Sequence, residues 1–333
     1  MNSIKRLSGN FLSAVVFTCA CSTVSAAPVL LGQWDLDGSG KLSSVYSNGG
    51  IEVVSASGVK KQYSLGNVAW SLWGAKDTNG KPGAELLVKA GPDVAIIDHK
   101  LKVIRKIPVG NRVWSIIAAA DTDNNGANEV ILSLGTGIGV ATDVRLSLKE
   151  YALSYTNSWS LVAAEDLSGQ GADAVLNMGN GPLIINLRNG QNRRHTFSGY
   201  SAIFGVVDTD GAPGAEIIGR TTDKVYFIKG GVSGSLRYFN ASTTDAWAIY
   251  GNSVDTDGVA GAEIILVMQG KVRIIHTVSG NSKDYKIGTG AQNYSIDSAT
   301  DIDGQPGVEL QVRTVDGKVW VISDRLGQIY PLK

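Results

Sequence analysis

Cysteine is nearly absent from this sequence. Its 333 residues hold two, Cys19 and Cys21, both close to the start. A chain whose body has no thiol needs no disulfide and offers no thiolate metal site. Histidine is scarce too. His99, His195 and His276 stand far apart, near outer strands or turns, and no His-Glu-x-x-His or Gly-x-Ser-x-Gly occurs. The local signatures of zinc peptidases and serine hydrolases are therefore missing. Neither sign of charge dominates: 30 Lys and Arg stand against 30 Asp and Glu, and the longest basic cluster is Arg193-Arg194-His195. That balance argues against nucleic-acid and anionic-membrane partners. No apolar run beyond the first residues approaches membrane-spanning length, so no membrane insertion is expected. Helical periodicity is also missing.

The opening stretch reads as a secretory signal. Lys5 and Arg6 are its positive region, Phe11 to Ala20 its short apolar run and Val24-Ser25-Ala26 its cleavage site. The expected cut follows Ala26. Residues 1–26 are then a signal peptide and residues 27–333 one mature domain, without cysteine and with 28 basic against 30 acidic residues. Such a chain is expected to be secreted or periplasmic in a bacterium.

A motif reading Asp-x-Asp-Gly-x-x-Gly-x-Glu, with variations, occurs seven times. Its first aspartates are Asp35, Asp77, Asp121, Asp166, Asp208, Asp255 and Asp301, at intervals of 42 to 47 residues. A fixed period of this length means one supersecondary unit repeated. Between the loops lie runs of β-branched residues bounded by Gly, Pro, Asn and Asp, which read as strands. In the second repeat these are Trp70 to Lys76, Leu86 to Ala90, Asp93 to Asp98 and Leu101 to Val109. Seven four-stranded units predict an all-β fold, a seven-bladed β-propeller of antiparallel blades. The 41 glycines suit a chain with so many turns. First strands such as Ser115-Ile116-Ile117-Ala118-Ala119-Ala120 are apolar at successive positions. They are expected to be innermost and buried on both faces. Each repeat holds four complete strands, so each sheet should come from one contiguous segment. The glycine-rich Gly135-Thr136-Gly137-Ile138-Gly139 has no helix pattern after it and reads as a β-turn rather than a phosphate loop.

The run Asp255-Thr256-Asp257-Gly258-Val259-Ala260-Gly261-Ala262-Glu263 resembles the calcium loop of FG-GAP and VCBS repeats, which also build the propeller of integrin α subunits. The resemblance spans all seven units. It implies calcium, held by oxygens at loop positions 1, 3, 5 and 9 and a backbone carbonyl at 7, with a structural role. The matching residues are Asp77, Asn79 and Glu85; Asp121, Asp123, Asn125 and Glu129; Asp208, Asp210 and Glu216; Asp255, Asp257 and Glu263; and Asp301, Asp303 and Glu309. Position 5 departs from the pattern as Lys81, Ala212, Val259 and Gln305. Asp166/Ser168, with Ala174 counted at position 9, and Asp35/Asp37, with Ser43 there, are the poorest matches. A second reading needs no metal: Asp and Asn side chains accept backbone amides two residues on, and Gly permits the tight turn.

Aromatic residues recur in phase. Trp70, Trp114, Trp159 and Tyr294 lie seven residues before their loop aspartate, and Tyr200 and Trp247 eight before theirs. Seven residues of strand span roughly 23 Å, which puts the aromatics and the acidic loops at opposite ends of the first strand. Two readings stand: packing wedges between blades, or a stacking platform for sugars beside Asn67, Asn111, Asn157, Asp245 and Asn293. The whole reads as a monomeric binding module for a surface glycan or a partner protein, with a role in adhesion or at the envelope. The alternative is a polysaccharide-degrading enzyme, a lyase or a glycosidase. A glycosidase's carboxylate pair is assembled only in space, and the cationic cluster of a uronate lyase is not visible in the sequence.

Overall fold

Seven runs of alternating strand and turn become seven four-stranded antiparallel sheets, each with its strands in chain order. The computed structural model describes residues 27–153, 158–251, 253–287 and 293–332. The signal segment read over residues 1–26 lies outside the described residues. The sheets span residues 29–63, 70–108, 115–152, 160–194, 201–240, 247–286 and 294–331, numbered 1 to 7 below. Among the described residues the only helical element is a short 3-10 turn, Gly231–Ser233. The fold class is the one predicted: all-β, with the sheet set of a seven-bladed β-propeller. Every sheet comes from one contiguous segment, as the repeat frame requires. Residues 29–34 pair within sheet 1 and residues 319–331 within sheet 7. The glycine run in sheet 3 is a hairpin turn, in which Leu134 N–H donates to the Gly137 carbonyl at 2.9 Å.

The chain divides into two compact units, one holding sheets 1 to 3 and the other Thr122–Asn124 with sheets 4 to 7. Within each unit the core is made where one sheet packs on the next. Leu86 and Val88 join Val45, Val53 and Ile51 in a cluster between sheets 1 and 2. Leu87, on the other face of the same strand, packs with Val130 and Leu132 of sheet 3. In the second unit Ile264 and Leu266 face sheet 5, while Ile265 faces Leu310 and Val312 of sheet 7. Because successive side chains point to opposite faces and both faces are covered, the second and third strands carry unbroken apolar runs such as Leu86-Leu87-Val88 and Val94-Ala95-Ile96-Ile97.

The first strands differ from expectation. Ser115–Ala120 is only partly buried, whereas Glu129–Ser133 and Gly137–Thr142 beside it are almost wholly buried. The reason is topological. The first strand is a sheet edge, so neighbours on one side are missing, and small residues fit there without being sealed off. Six of the seven first strands also carry a register shift against the second, for example between Leu72 and Gly74 and between Ile203 and Gly205. Such a bulge bends an edge strand and turns it away from ladder pairing with another chain.

Candidate functional site

The acidic loops join the first strand of each sheet to the second. In sheets 2, 5, 6 and 7 they are built alike. The first aspartate accepts the amide of the fourth residue, a glycine: Gly80 to Asp77 at 2.8 Å, Gly211 to Asp208 at 2.7 Å, Gly258 to Asp255 and Gly304 to Asp301 at 2.6 Å. The third side chain accepts the fifth amide at 2.8 to 3.0 Å on Asn79, Asp210, Asp257 and Asp303. The ninth residue, a buried glutamate, accepts the second amide. Glu85, Glu216 and Glu263 also take the hydroxyl of Thr78, Thr209 and Thr256 at 3.0, 2.8 and 3.0 Å. Burial raises the Glu85 and Glu216 carboxyls above the ordinary range and takes Glu263 to about 7.

Neighbouring loops are also zipped to one another. The eighth residue donates its N–H to the first aspartate's carbonyl in the preceding loop: Ala84 to Asp35, Asn128 to Asp77, Ala215 to Asp166, Ala262 to Asp208 and Val308 to Asp255, at 2.8 to 3.2 Å. The glycine before it must come close. At Gly214 and Gly261 φ is +104° and +120°, and a Cβ would lie 2.7 Å from the Leu167 oxygen and 2.6 Å from the Thr209 oxygen. In these four loops the first and third side chains, the glycines and the glutamate thus all have work in turn formation and loop docking.

The fit of a calcium ion differs from loop to loop. In loops 5 to 7 the third-position carboxylate faces a basic side chain: Lys229 on Asp210, His276 Nδ1 3.2 Å from Asp257, and Arg325 2.7 Å from Asp303. In loop 2 the Asn79 amide nitrogen points at Glu85 (2.6 Å) and Asp98 (3.3 Å), with Arg105 between Asp98 and Asp143. In loop 3 Asp121 accepts the Asn125 and Gly126 amides, and Asn125 accepts that of Ala127. Asp123 Oδ1 is buried and, among the described residues, has no hydrogen-bond partner. Such an orphaned oxygen fits a cation. In loop 1 Asp35 is occupied by the amides of Gly38, Ser39 and Gly40. Loop 4 corrects the sequence reading. It is one residue short, and Asp173, not Ala174, stands where the glutamate stands elsewhere. Asp173 is fully buried, pairs with Glu165 across the ladder and accepts the Asn186 amide at 3.1 Å. Burial raises its carboxyl to about 6. The signal in the sequence was Gly171-Ala172-Asp173, parallel to Gly83-Ala84-Glu85.

The aromatics open the first strands or immediately precede them, with the acidic loop at the far end. They do not share one environment. Trp114 and Trp247 are buried, Trp70, Trp159 and Tyr294 half-buried, and Tyr200 is 59% exposed. Tyr294 donates to the Lys271 carbonyl at 2.5 Å and accepts the Met268 amide at 3.1 Å, tying sheet 7 to sheet 6. Two of the rings carry a cation from the preceding sheet. Lys89 donates to the Trp114 carbonyl at 2.5 Å and lies 4.8 Å from its ring. Arg220 donates to the Trp247 carbonyl at 2.8 Å and lies 3.9 Å from its ring. Both stand four residues after the loop glutamate, so the same strand position supplies both, a spacing the sequence reading did not use.

Around Arg220 the surface opens into a pocket of about 500 Å³ lined by Arg220, Thr222, Asp223, Asp245 and Trp247 with the hydroxyls of residues 242–244. Exposed Tyr200 has its ring 5.8 Å from the same guanidinium. Arg220 Nε is buried and has no protein partner among the described residues. The pocket therefore combines an aromatic edge, a held cation, two carboxylates and several hydroxyls. No helix among the described residues is long and apolar enough to cross a membrane.

No family model matches this chain, and no curated protein matches it. Among solved structures it is similar to the extracellular domain of a hybrid two-component system from B. thetaiotaomicron, at 10% identity and a TM-score of 0.32, over 95% of this chain and 56% of that one. The dihydro-heme d1 dehydrogenase NirN in complex with DHE gives 11% identity and a TM-score of 0.42, over 92% and 67%. Apo AztD from Citrobacter koseri gives 12% and 0.34, over 84% and 76%. The chain thus spans little more than half the length of the first of these, and shares about a tenth of its residues with any of them.

Proposed function

We propose that this chain is an exported propeller of FG-GAP/VCBS-like repeats that binds a surface glycan. The observation that supports this reading most is the open pocket around Arg220 and Trp247. Sugar rings offer hydroxyls on their rims and apolar C–H faces. Carboxylates, a guanidinium and an adjacent exposed aromatic are the side chains that suit both surfaces. Asp223 and Asp245 accept sugar hydroxyls, Arg220 donates to ring or hydroxyl oxygens, and Tyr200 supplies the stacking face. Trp114 and Trp247 serve as supports beneath Lys89 and Arg220 rather than as platforms. Export rests on the signal read over residues 1–26. Calcium enters the proposal at loop 3, where Asp121, Asp123, Asn125 and Glu129 give the fullest donor set by residue type. Its role there is structural.

A glycan array on the mature protein tests the reading. Selective binding that falls at least tenfold in Tyr200→Ala and Asp245→Asn, both surface changes, is the expected outcome. An array without signal sinks the glycan reading and leaves a partner protein as the ligand.

A further inference from the structure

Loops 5, 6 and 7 carry the acidic residues of a calcium loop, yet each receives a basic side chain from elsewhere in its own sheet. In sheet 5 the ladder sets Ile217 opposite Ile228, so the next pair outward is Glu216 with Lys229. The Lys229 ammonium pairs with Asp210. In sheet 6 the ladder sets Ile264 opposite Ile275, so Glu263 meets His276 in the same way. The His276 ring lies between Asp257, 3.2 Å from Nδ1, and Asp324, 3.2 Å from Nε2, with Glu263 at 3.9 Å. In sheet 7 the matching rung falls on Ser323, and Arg325, two residues on, reaches back to Asp303 at 2.7 Å.

We infer that Lys229, His276 and Arg325 occupy the seats that a metal ion would take, so that loops 5 to 7 are held by built-in basic side chains and bind no calcium. Two further features of these loops agree. Calcium takes six to eight oxygens, and position 5 is Ala212 in loop 5 and Val259 in loop 6, neither of which has a side-chain oxygen. The carboxylates are also committed: Asp208, Asp255 and Asp301 hold glycine amides, and Glu216, Glu263 and Glu309 hold the second amide of each loop. A divalent ion arriving at loop 5 or 7 would have to expel a fixed like charge before gaining its ligands. The carboxylate clusters of loops 5 and 7 are therefore stabilised by Lys229 and Arg325, and in loop 6 His276 itself joins Asp257 and Glu263 in the cluster. This inference is independent of the glycan pocket.

Calorimetric calcium titration and thermal melting of the mature protein test it together. The expected result is that Asp210→Asn and Asp303→Asn bind the same number of calcium ions as the wild type. In chelator, Lys229→Met is expected to melt lower by about 2 °C or more, because it leaves the loop carboxylates uncompensated. Loss of one bound calcium in either Asp variant overturns the inference. So does a Lys229→Met protein that melts in chelator at the wild-type temperature. Should Lys229→Met fail to fold, Arg325→Met, on an exposed turn, gives the same melting comparison.

Discussion

A single methyl group at Gly261 would be enough to push neighbouring loops apart. The φ of +120° disfavours any L side chain, and the Thr209 carbonyl leaves no room for one. Gly261→Ala is expected to lower unfolding stability by about 2 kcal/mol, of the order seen for forced residues at such backbone angles. Urea denaturation measures it against Gly280→Ala, where φ is also above zero but nothing lies near the added Cβ. A smaller loss at Gly280 than at Gly261 would separate backbone strain from the loop contact. Asp173 gives a pH-dependent prediction. Burial raises its folded-state pKa to about 6 from 3.8. The folded form therefore holds its proton more tightly than the unfolded chain. This contribution to stability is complete below pH 3.8 and is lost as pH rises through about 6. Comparing urea midpoints from pH 4 to 7, Asp173→Asn should lack the share of the decline that belongs to this carboxyl. Glycine spacing made Gly261 legible in the sequence. Asp173 was hidden because a loop one residue shorter shifts any count made from its first aspartate.

The loop and the hairpin opposite it form the working element. Thr256 donates its hydroxyl to Glu263 at 3.0 Å and lies 2.8 Å from Asp324 of the next sheet, which also takes the Tyr285 hydroxyl at 2.5 Å. Thr78 repeats the arrangement with Glu85 and Asp143, where Arg105 completes it. Thr256→Val keeps the shape and removes the buried hydroxyl, at an expected cost of about 1–3 kcal/mol. A double-mutant cycle with Asp324→Asn should show coupling between the two positions, and additive effects would deny the latch. Strand boundaries were well read from the sequence: Trp70–Lys76 and Asp93–Asp98 fall where turn residues placed them. The latches were not, because Thr256 and Asp324 are 68 residues apart and belong to different repeats. Trp114→Ala is expected to cost about 3–5 kcal/mol by opening the cluster between sheets 2 and 3. Thermal melting would check it, and a change near zero would return Trp114 to the surface as a ligand contact.

At the scale of the chain, seven loops that satisfy most of their own polar groups imply a protein that folds without a full complement of metal. Chelator is expected to leave one cooperative melting transition, displaced by no more than a few degrees from that in calcium, as linkage to a single site of modest affinity would give. Collapse of the transition in chelator would mean that calcium holds several loops. By itself, the sequence determined the number of repeats, the four strands in each and the contiguity of every sheet, since these follow from local turn chemistry and strand periodicity repeated seven times. Only the tertiary structure decided which aromatics are buried, which carboxylates meet Lys229, His276 and Arg325, and that Arg220 rests on Trp247. Those outcomes depend on cross-strand register and on one sheet packing against the next, and contacts between residues distant in the chain have no local pattern to announce them.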